Sequence, residues 1–359
     1  MSENESFAGY RWSYFSSMSE GPLRVRAQTF LDSIDWDALL RCASAKRNGV
    51  ECRLLPDIGL GYNHMVRVVE FVDQVQWVAR LRMPRVDGGD AGERIKSEYE
   101  TIRLVQKESK IPVPHVHMLE TDLDSHVGAQ FMLMDCLRGN VGMDLSFSIL
   151  PENKPDAYAA MAEVQIEMFK IRLPKIGKVV GVNDDGSYRL GPIPALGGPF
   201  DTAAEYFKAW AAKAEFGPFV DEILSSVSTF RKLLADNAEW LSVNNTGPFP
   251  LCHDDFGHNN IVFDDNYRLL GVIDWETAFA APCEISGEFP LSISLIPPAM
   301  DAPWNYDETE EEQGLTEGYT LSSALQDNKR QYLASAMRLY QNGKAGWYSK
   351  VMEELRDDR

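Results

Sequence analysis

The sequence predicts an α+β fold of two lobes: a small antiparallel β-sheet lobe with one helix, then a larger, mainly helical lobe. Three observations predict it. The β-rich runs VRVVEFV (66–72) and VQWVARLRM (75–83) flank a polar DQ turn, the pattern of an antiparallel hairpin. One amphipathic stretch, AGERIKSEYETIRLVQKE (91–108), follows them, and segments of helical period dominate the second half. A chain of 359 residues can bury a core large enough for two lobes.

Residues 1–50 read as an N-terminal helical extension, in which WDALLRCASAKRNG (36–49) sets Trp36, Leu39, Leu40 and Ala43 on one face and stops at Gly49. Residues 51–139 form the β lobe. Its helix at 91–108 ends before IPVP (111–114), which cannot continue a helix, and FMLMDCLRG (131–139) is a buried strand running into a bend at Gly139. Residues 140–359 form the helical lobe. Helices are expected at 156–173, 200–216 and 219–241, with a Gly/Pro-rich stretch at 174–200 that has a hairpin signal at Asn183–Gly186. An acidic run at Asp307–Glu312 and closing helices end the chain.

Composition excludes several classes of function. A net charge of −19 argues against nucleic acid and anionic membrane as partners, since both demand clustered Lys and Arg. No apolar stretch is long enough to span a bilayer, and the first residues lack the apolar segment of a secretory signal. The five cysteines are odd in number and scattered, which points to reduced thiols and a cytoplasmic location. Nothing in the sequence speaks to oligomeric state.

The densest chemistry lies in LCHDDFGHNNIVFDDNYRLLGVIDWE (251–276). Between Asn260 and Asp274 stand IVF, the turn DDNY and RLLGVI, which is strand, turn, strand. A hairpin makes its two ends neighbours, so two oxygen-bearing side chains can converge on a hard cation such as Mg²⁺. Asp255 lies one loop away, where it can face a substrate hydroxyl. Phosphoryl transfer from ATP needs these parts: metal ligands from an Asn and an Asp, and a separate Asp for the attacking hydroxyl. A zinc site built from Cys252, His253 and His258 is the competing reading, but no C-x-x-C or H-x-x-x-H pair accompanies them.

These residues resemble the catalytic loop and metal-binding Asp of the aminoglycoside phosphotransferase family, which has a protein-kinase-like fold. Family members carry H-G-D-x-x-x-x-N and then I-D-W/F. Here the loop is 253–260, with Asp254 in place of the glycine, and DWE (274–276) stands where protein kinases have D-F-G. The resemblance covers roughly residues 55–295 and is strongest to fungal members. It implies Asp255 as the hydroxyl-orienting residue, His253 as a brace of the catalytic loop, and Asn260 and Asp274 as Mg²⁺ ligands.

The first half carries matching parts. DIGLGYNHMVRVV (57–69) resembles the family's glycine-containing turn over the phosphates, with Gly61 and Asn63 in it and His64 at the place of a third glycine. WVARL (77–81) resembles V-A-I-K with Arg80 in the lysine's place, and Arg82 competes for the role from the same strand face. Either arginine could instead be a strand-edge cation facing water. At about 100° per residue, Glu98 falls among Ile95, Ile102 and Val105, whereas Glu100 falls opposite and should be solvated. A carboxylate on an apolar face needs a partner, which makes Glu98 the expected mate of Arg80. By resemblance Met134 lines the adenine pocket, and the backbone of Asp135 and Leu137 meets the adenine edge.

The function expected is transfer of the ATP γ-phosphoryl, with Mg²⁺, onto a hydroxyl of a small molecule. A catalytically weak nucleotide-binding regulatory protein is one alternative. A choline- or ethanolamine-type kinase is another, with Trp304, Tyr306, Trp347 and Tyr348 available to cage a cation.

Overall fold

The computed structural model describes residues 15–84, 91–141, 149–214 and 221–287, with Leu333 and Met337. The acidic run, the closing helices and the four aromatics Trp304, Tyr306, Trp347 and Tyr348 lie outside them. In chain order the first elements are α1 (Pro22–Ser33), α2 (Trp36–Lys46), β1 (Cys52–Leu60), β2 (His64–Phe71), β3 (Gln76–Arg82) and α3 (Ala91–Glu108). They are followed by β4 (Val116–Glu120), β5 (Phe131–Asp135), β6 (Asn140–Val141), α4 (Lys154–Lys170), β7 (Arg172–Leu173), β8 (Lys178–Val182) and β9 (Tyr188–Gly191). The remainder are α5 (Ala203–Lys213), α6 (Asp221–Leu241), β10 (Phe249–Cys252), β11 (Ile261–Phe263), β12 (Leu269–Val272), β13 (Phe279–Ala280) and α7 (Cys283–Ser286).

The chain forms two compact units that do not follow chain order. Residues 1–160 join 258–276 in one, and 161–257 join 277–359 in the other.

The first unit is built on an antiparallel sheet of order β1-β2-β3-β5-β4. Alternation along β3 decides its two faces. Trp77, Ala79 and Leu81 are buried with Met65, Val69 and Phe71 of β2, Phe131 and Leu133 of β5, and Phe30, Ile34 and Leu39 of the N-terminal helices. The helical extension therefore covers one face of the sheet, and the even-numbered residues Arg80 and Arg82 point to the other. α2 starts where the Asp35 carboxylate accepts the Ala38 N–H at 2.7 Å, and just past its end the chain turns through Asn48 and Gly49, both at positive φ. β1 shifts register between Leu54 and Ile58, where Pro56 has no N–H for the ladder.

α3 covers the predicted residues, and Ile95, Ile102 and Val105 are buried. β4 was not expected: its five residues follow the proline pair too closely to show a clear period. The hairpin at 261–272 forms as expected, with Ile261 opposite Val272, and β6 adds a third strand.

In the second unit β10 lies between β7 and β13, and β8 and β9 form the hairpin signalled at Asn183–Gly186. α5 begins with a capping box in which Thr202 and Glu205 satisfy each other's backbone N–H. Trp210 of α5 meets Phe230 of α6 edge-on, with ring centroids 6.0 Å apart.

Candidate active site

β3 sets the chemistry of the first unit. Its register with β2 places His64 opposite Arg82 and Val66 opposite Arg80, so His64 and both arginines share one sheet face. From α3, Glu98 Oε2 accepts Arg80 Nη1 at 2.5 Å. Arg80 Nη2 donates to Asp274 Oδ1 at 2.5 Å and to His64 Nδ1 at 3.0 Å. Beside it, Arg82 Nη1 donates to Glu276 Oε2 at 2.6 Å, and the Asn63 amide donates to Glu276 Oε1 at 2.9 Å. Each arginine thus holds one carboxylate of the 274–276 segment.

Three carboxylates share two guanidiniums here, and their acidities show it. Burial pushes the Glu98 carboxyl up to about 7, Asp274 and Glu276 add to the shift, and Arg80 opposes it. Asp274 is also raised, by burial first and by Glu276, against the pull of Arg80. Glu276 is raised by burial, but Arg80 and Arg82 outweigh this and hold it below the ordinary value. Arg80 keeps its proton firmly, since the three acids overcome the effect of its burial. The cluster is one positive charge short.

That shortage and the oxygen donors fit a hard divalent cation. Asp274 is the accessible one, with its side chain 34% exposed. Ligand atoms of His64, Asp274 and Glu276 lie within 4.8 Å of one another. The imidazole is nevertheless a poor third ligand. A guanidinium only donates, so His64 Nδ1 accepts from Arg80 and Nε2 carries the hydrogen. Burial, then Arg80 and Arg82, hold His64 neutral by lowering it well below its ordinary range. Asn260 is buried at the hairpin entrance, and its carbonyl accepts the Ile273 N–H at 2.9 Å, which places Asp274 one residue beyond. Asp274 has φ 63°, and this left-handed backbone breaks strand alternation at the metal-site candidate.

The turn between β1 and β2 is tied at three points. The Gly61 N–H donates to the His64 carbonyl, the Met83 N–H to the Asn63 carbonyl, each at 2.9 Å, and the Asn63 side chain reaches Glu276. On β5, Met134 is buried between Val78 of β3 and Val116 of β4. Asp135 spends its N–H on the His115 carbonyl, and its carboxylate accepts His117 Nε2 at 2.7 Å. The Leu137 carbonyl accepts the Gly139 N–H at 2.9 Å, so the bend after β5 closes on itself.

The 253–257 loop belongs to the second unit and follows β10. His253 is 1% exposed, and its carbonyl accepts the Thr277 hydroxyl at 2.9 Å. Asp254, at the place of the family glycine, has φ 68°. The loop keeps the left-handed backbone that glycine favours, at some cost to a residue with a Cβ. Asp255 is half-buried. Tyr206 of α5 is buried nearby in charge terms: burial, then Asp254 and Cys252, push its hydroxyl well above the usual range.

Against this geometry, comparison with known proteins is decisive for the family. The profile described as "Phosphotransferase enzyme family" matches residues 59–283, well over half the chain. The chain belongs to that family. Its fold is protein-kinase-like and is shared with a thermostable mutant of aminoglycoside phosphotransferase APH(4)-Ia in its apo form. That match has a TM-score of 0.53 and 16% identity, over 89% of this chain and 94% of the other. A Ralstonia eutropha JMP134 protein described as an aminoglycoside phosphotransferase aligns over 89% of this chain and 99% of its own (TM-score 0.51, 15% identity). Clavilactone A biosynthesis cluster protein Y of Ampulloclitocybe clavipes is 25% identical over 218 residues, 56% of this chain and 54% of that one. The chain spans about half or less of the length of the first curated relatives it matches.

Within this phosphotransferase-family chain, Arg80, Glu98 and Asp274 are brought together by direct contact, and Asn63 meets Glu276 beside them. One expectation needs correction, and one alternative falls away. Glu100 is not solvated: its side chain is 13% exposed and meets Arg103 at 3.4 Å. Neither arginine of β3 faces water, since their side chains are 11% and 1% exposed and both hold carboxylates. Glu276 and the contact of His64 with Arg80 were missed. The acid in D-W-E, two residues past Asp274, was the available signal for Glu276.

Proposed function

We propose that this protein is an ATP- and Mg²⁺-dependent kinase acting on a hydroxyl of a small molecule. The observation that carries the proposal is Arg80, held between Glu98 and Asp274 inside a chain whose residues 59–283 match the phosphotransferase family. Arg80 grips nucleotide phosphates, and Glu98 fixes the guanidinium in place. Gly61 and Asn63 cover the phosphates. Met134 lines the adenine pocket, and the backbone of Asp135 and Leu137 meets the adenine edge. Asn260 and Asp274 hold Mg²⁺, with Glu276 close enough to add an oxygen. Bound there, the ion would neutralise charge on the phosphate oxygens. Asp255 orients the acceptor hydroxyl and takes its proton, and buried His253 braces the loop.

The left-handed backbone kept at Asp254 supports an active loop over a purely regulatory role. No disulfide joins the cysteines of the described residues, which supports a cytoplasmic location. The test is a screen of hydroxylated metabolites for ADP release, with and without Mg²⁺, beside a thermal-shift assay with ATP. Mg²⁺-dependent ADP release with at least one acceptor is expected. An ATP-induced shift without release from any acceptor would favour the regulatory alternative, and no shift at all would remove nucleotide binding from the proposal.

A further inference from the structure

Beside the Arg80 contacts lies a second ion pair, whose cation, Arg82, those roles leave unused. Arg82 is 2% exposed, and only its Nη1 is engaged, by Glu276. Among the described residues, Arg82 Nε and Nη2 and His64 Nε2 meet no hydrogen-bond acceptor. His64 Nε2 carries a hydrogen, because Nδ1 accepts from Arg80, and it stands 3.9 Å from Glu276 Oε2. Two donors of Arg82 and one of His64 are therefore buried without an acceptor, although both side chains neighbour the Glu276 carboxylate. Folded proteins rarely leave buried donors this way. An anion with more oxygens than a carboxylate, in a tetrahedral array, would match the fork of Arg82 and the imidazole together.

We propose that Arg82 and His64 form a second phosphate-binding station for the nucleotide, and that the Glu276 carboxylate holds its place. The inference rests on the nucleotide-binding function proposed above. On nucleotide entry both ion pairs open. Arg80 exchanges Asp274 for a phosphate oxygen, Arg82 exchanges Glu276 for another, and His64 Nε2–H donates to the same group. Asn63 gives up its side-chain contact with Glu276 as the phosphates enter. His64 then supplies, from its side chain, a donor at the place where the family's third glycine offers only backbone.

The test is calorimetric titration of the full-length chain with ATP and with adenosine, in the absence of divalent cations. Arg82→Gln alone strands a buried carboxylate and risks misfolding, so the deciding variant is Arg82→Gln with Glu276→Gln, which keeps a neutral hydrogen-bonding pair. The preference for ATP over adenosine should fall by about tenfold, with adenosine affinity unchanged. Glu276→Gln alone should raise metal-free ATP affinity, because the competing carboxylate has lost its charge. An unchanged ATP-to-adenosine ratio in the double variant, or weaker metal-free ATP binding by Glu276→Gln, overturns the second station and leaves the kinase proposal standing. A wild-type protein that binds neither compound overturns both.

Discussion

Arg80 and Glu98 stand 18 residues apart in the chain and 2.5 Å apart in space, with side chains 11% and 1% exposed. α3 buries Glu98 because it lies on the same face as Ile95, Ile102 and Val105. A carboxylate placed there needs a cation, and the even-numbered face of β3 supplies one. Arg80→Ala leaves that carboxylate unpaired and should cost about 3–5 kcal/mol in urea denaturation, as breaking a buried pair does. Glu100→Gln should cost under about 0.5 kcal/mol, because its Arg103 partner is 53% exposed and 3.4 Å away.

The same carboxylate should give stability a pH signature. Glu98 is raised in the fold from 4.5 to about 7. The folded state therefore binds the extra proton between these values, and stability should fall as pH rises through that window. Denaturation midpoints from pH 4.5 to 7.5 should show a shallower decline for Glu98→Gln, which is neutral throughout. Equal slopes in the two proteins would place the titration on another group.

Asp254 offers a test of backbone against side chain. At φ 68° a Cβ is strained, and the strain of left-handed backbone is about 1–2 kcal/mol for an ordinary residue. Asp254→Gly relieves it and Asp254→Ala does not. Thermal unfolding should rank the glycine variant above the alanine variant by about 1 kcal/mol, part of the relief being offset by the greater freedom of the unfolded glycine chain. The reverse order would show that the loop relaxes out of this conformation.

How far this arrangement was legible depends on the range of the signal. Helix 91–108 and its Glu98 could be read from period alone, because Ile95, Ile102 and Val105 fix the buried face. The 261–272 hairpin was written locally, in two apolar runs around DDNY. Arg82 and Glu276 are different: 194 residues separate them, and nothing near either one names the other. Arg82 was consequently legible only as a rival of Arg80 on the same strand face, with no carboxylate of its own. His64 was legible only as an odd residue at a glycine position; its contact with Arg80 follows from the β2–β3 register.

Gly271 links the 261–272 hairpin to the bend after β5. A Cβ there would lie 2.6 Å from Leu137 Cδ1 and 3.1 Å from the Pro112 carbonyl oxygen, which also accepts the Val272 N–H. Gly271→Ala should cost about 1–3 kcal/mol through overpacking. It should also displace Leu137, and adenosine affinity should fall with stability. If stability drops while adenosine affinity stays the same, Leu137 does not meet the adenine edge.

The final prediction separates chemistry from nucleotide binding. Asp255 and Asp274 lie in different compact units and have different proposed roles, toward the hydroxyl and toward the cation. Asp255→Asn keeps the shape and removes the charge that orients the hydroxyl and takes its proton, a role worth about 10²–10⁴ in rate. Turnover should collapse while Mg-ATP affinity remains close to wild type. Asp274→Ala removes a proposed metal ligand and one of the two carboxylates on Arg80, so Mg²⁺-dependent binding and turnover should fall together. Metal-free ATP should not suffer in the same way, because losing Asp274 leaves Arg80 more available to phosphate. Calorimetry with and without Mg²⁺, beside ADP release with an identified acceptor, measures all three quantities. If Asp255→Asn loses Mg-ATP affinity as severely as Asp274→Ala, then Asp255 binds the cation, and the division of labour proposed for these two carboxylates is wrong.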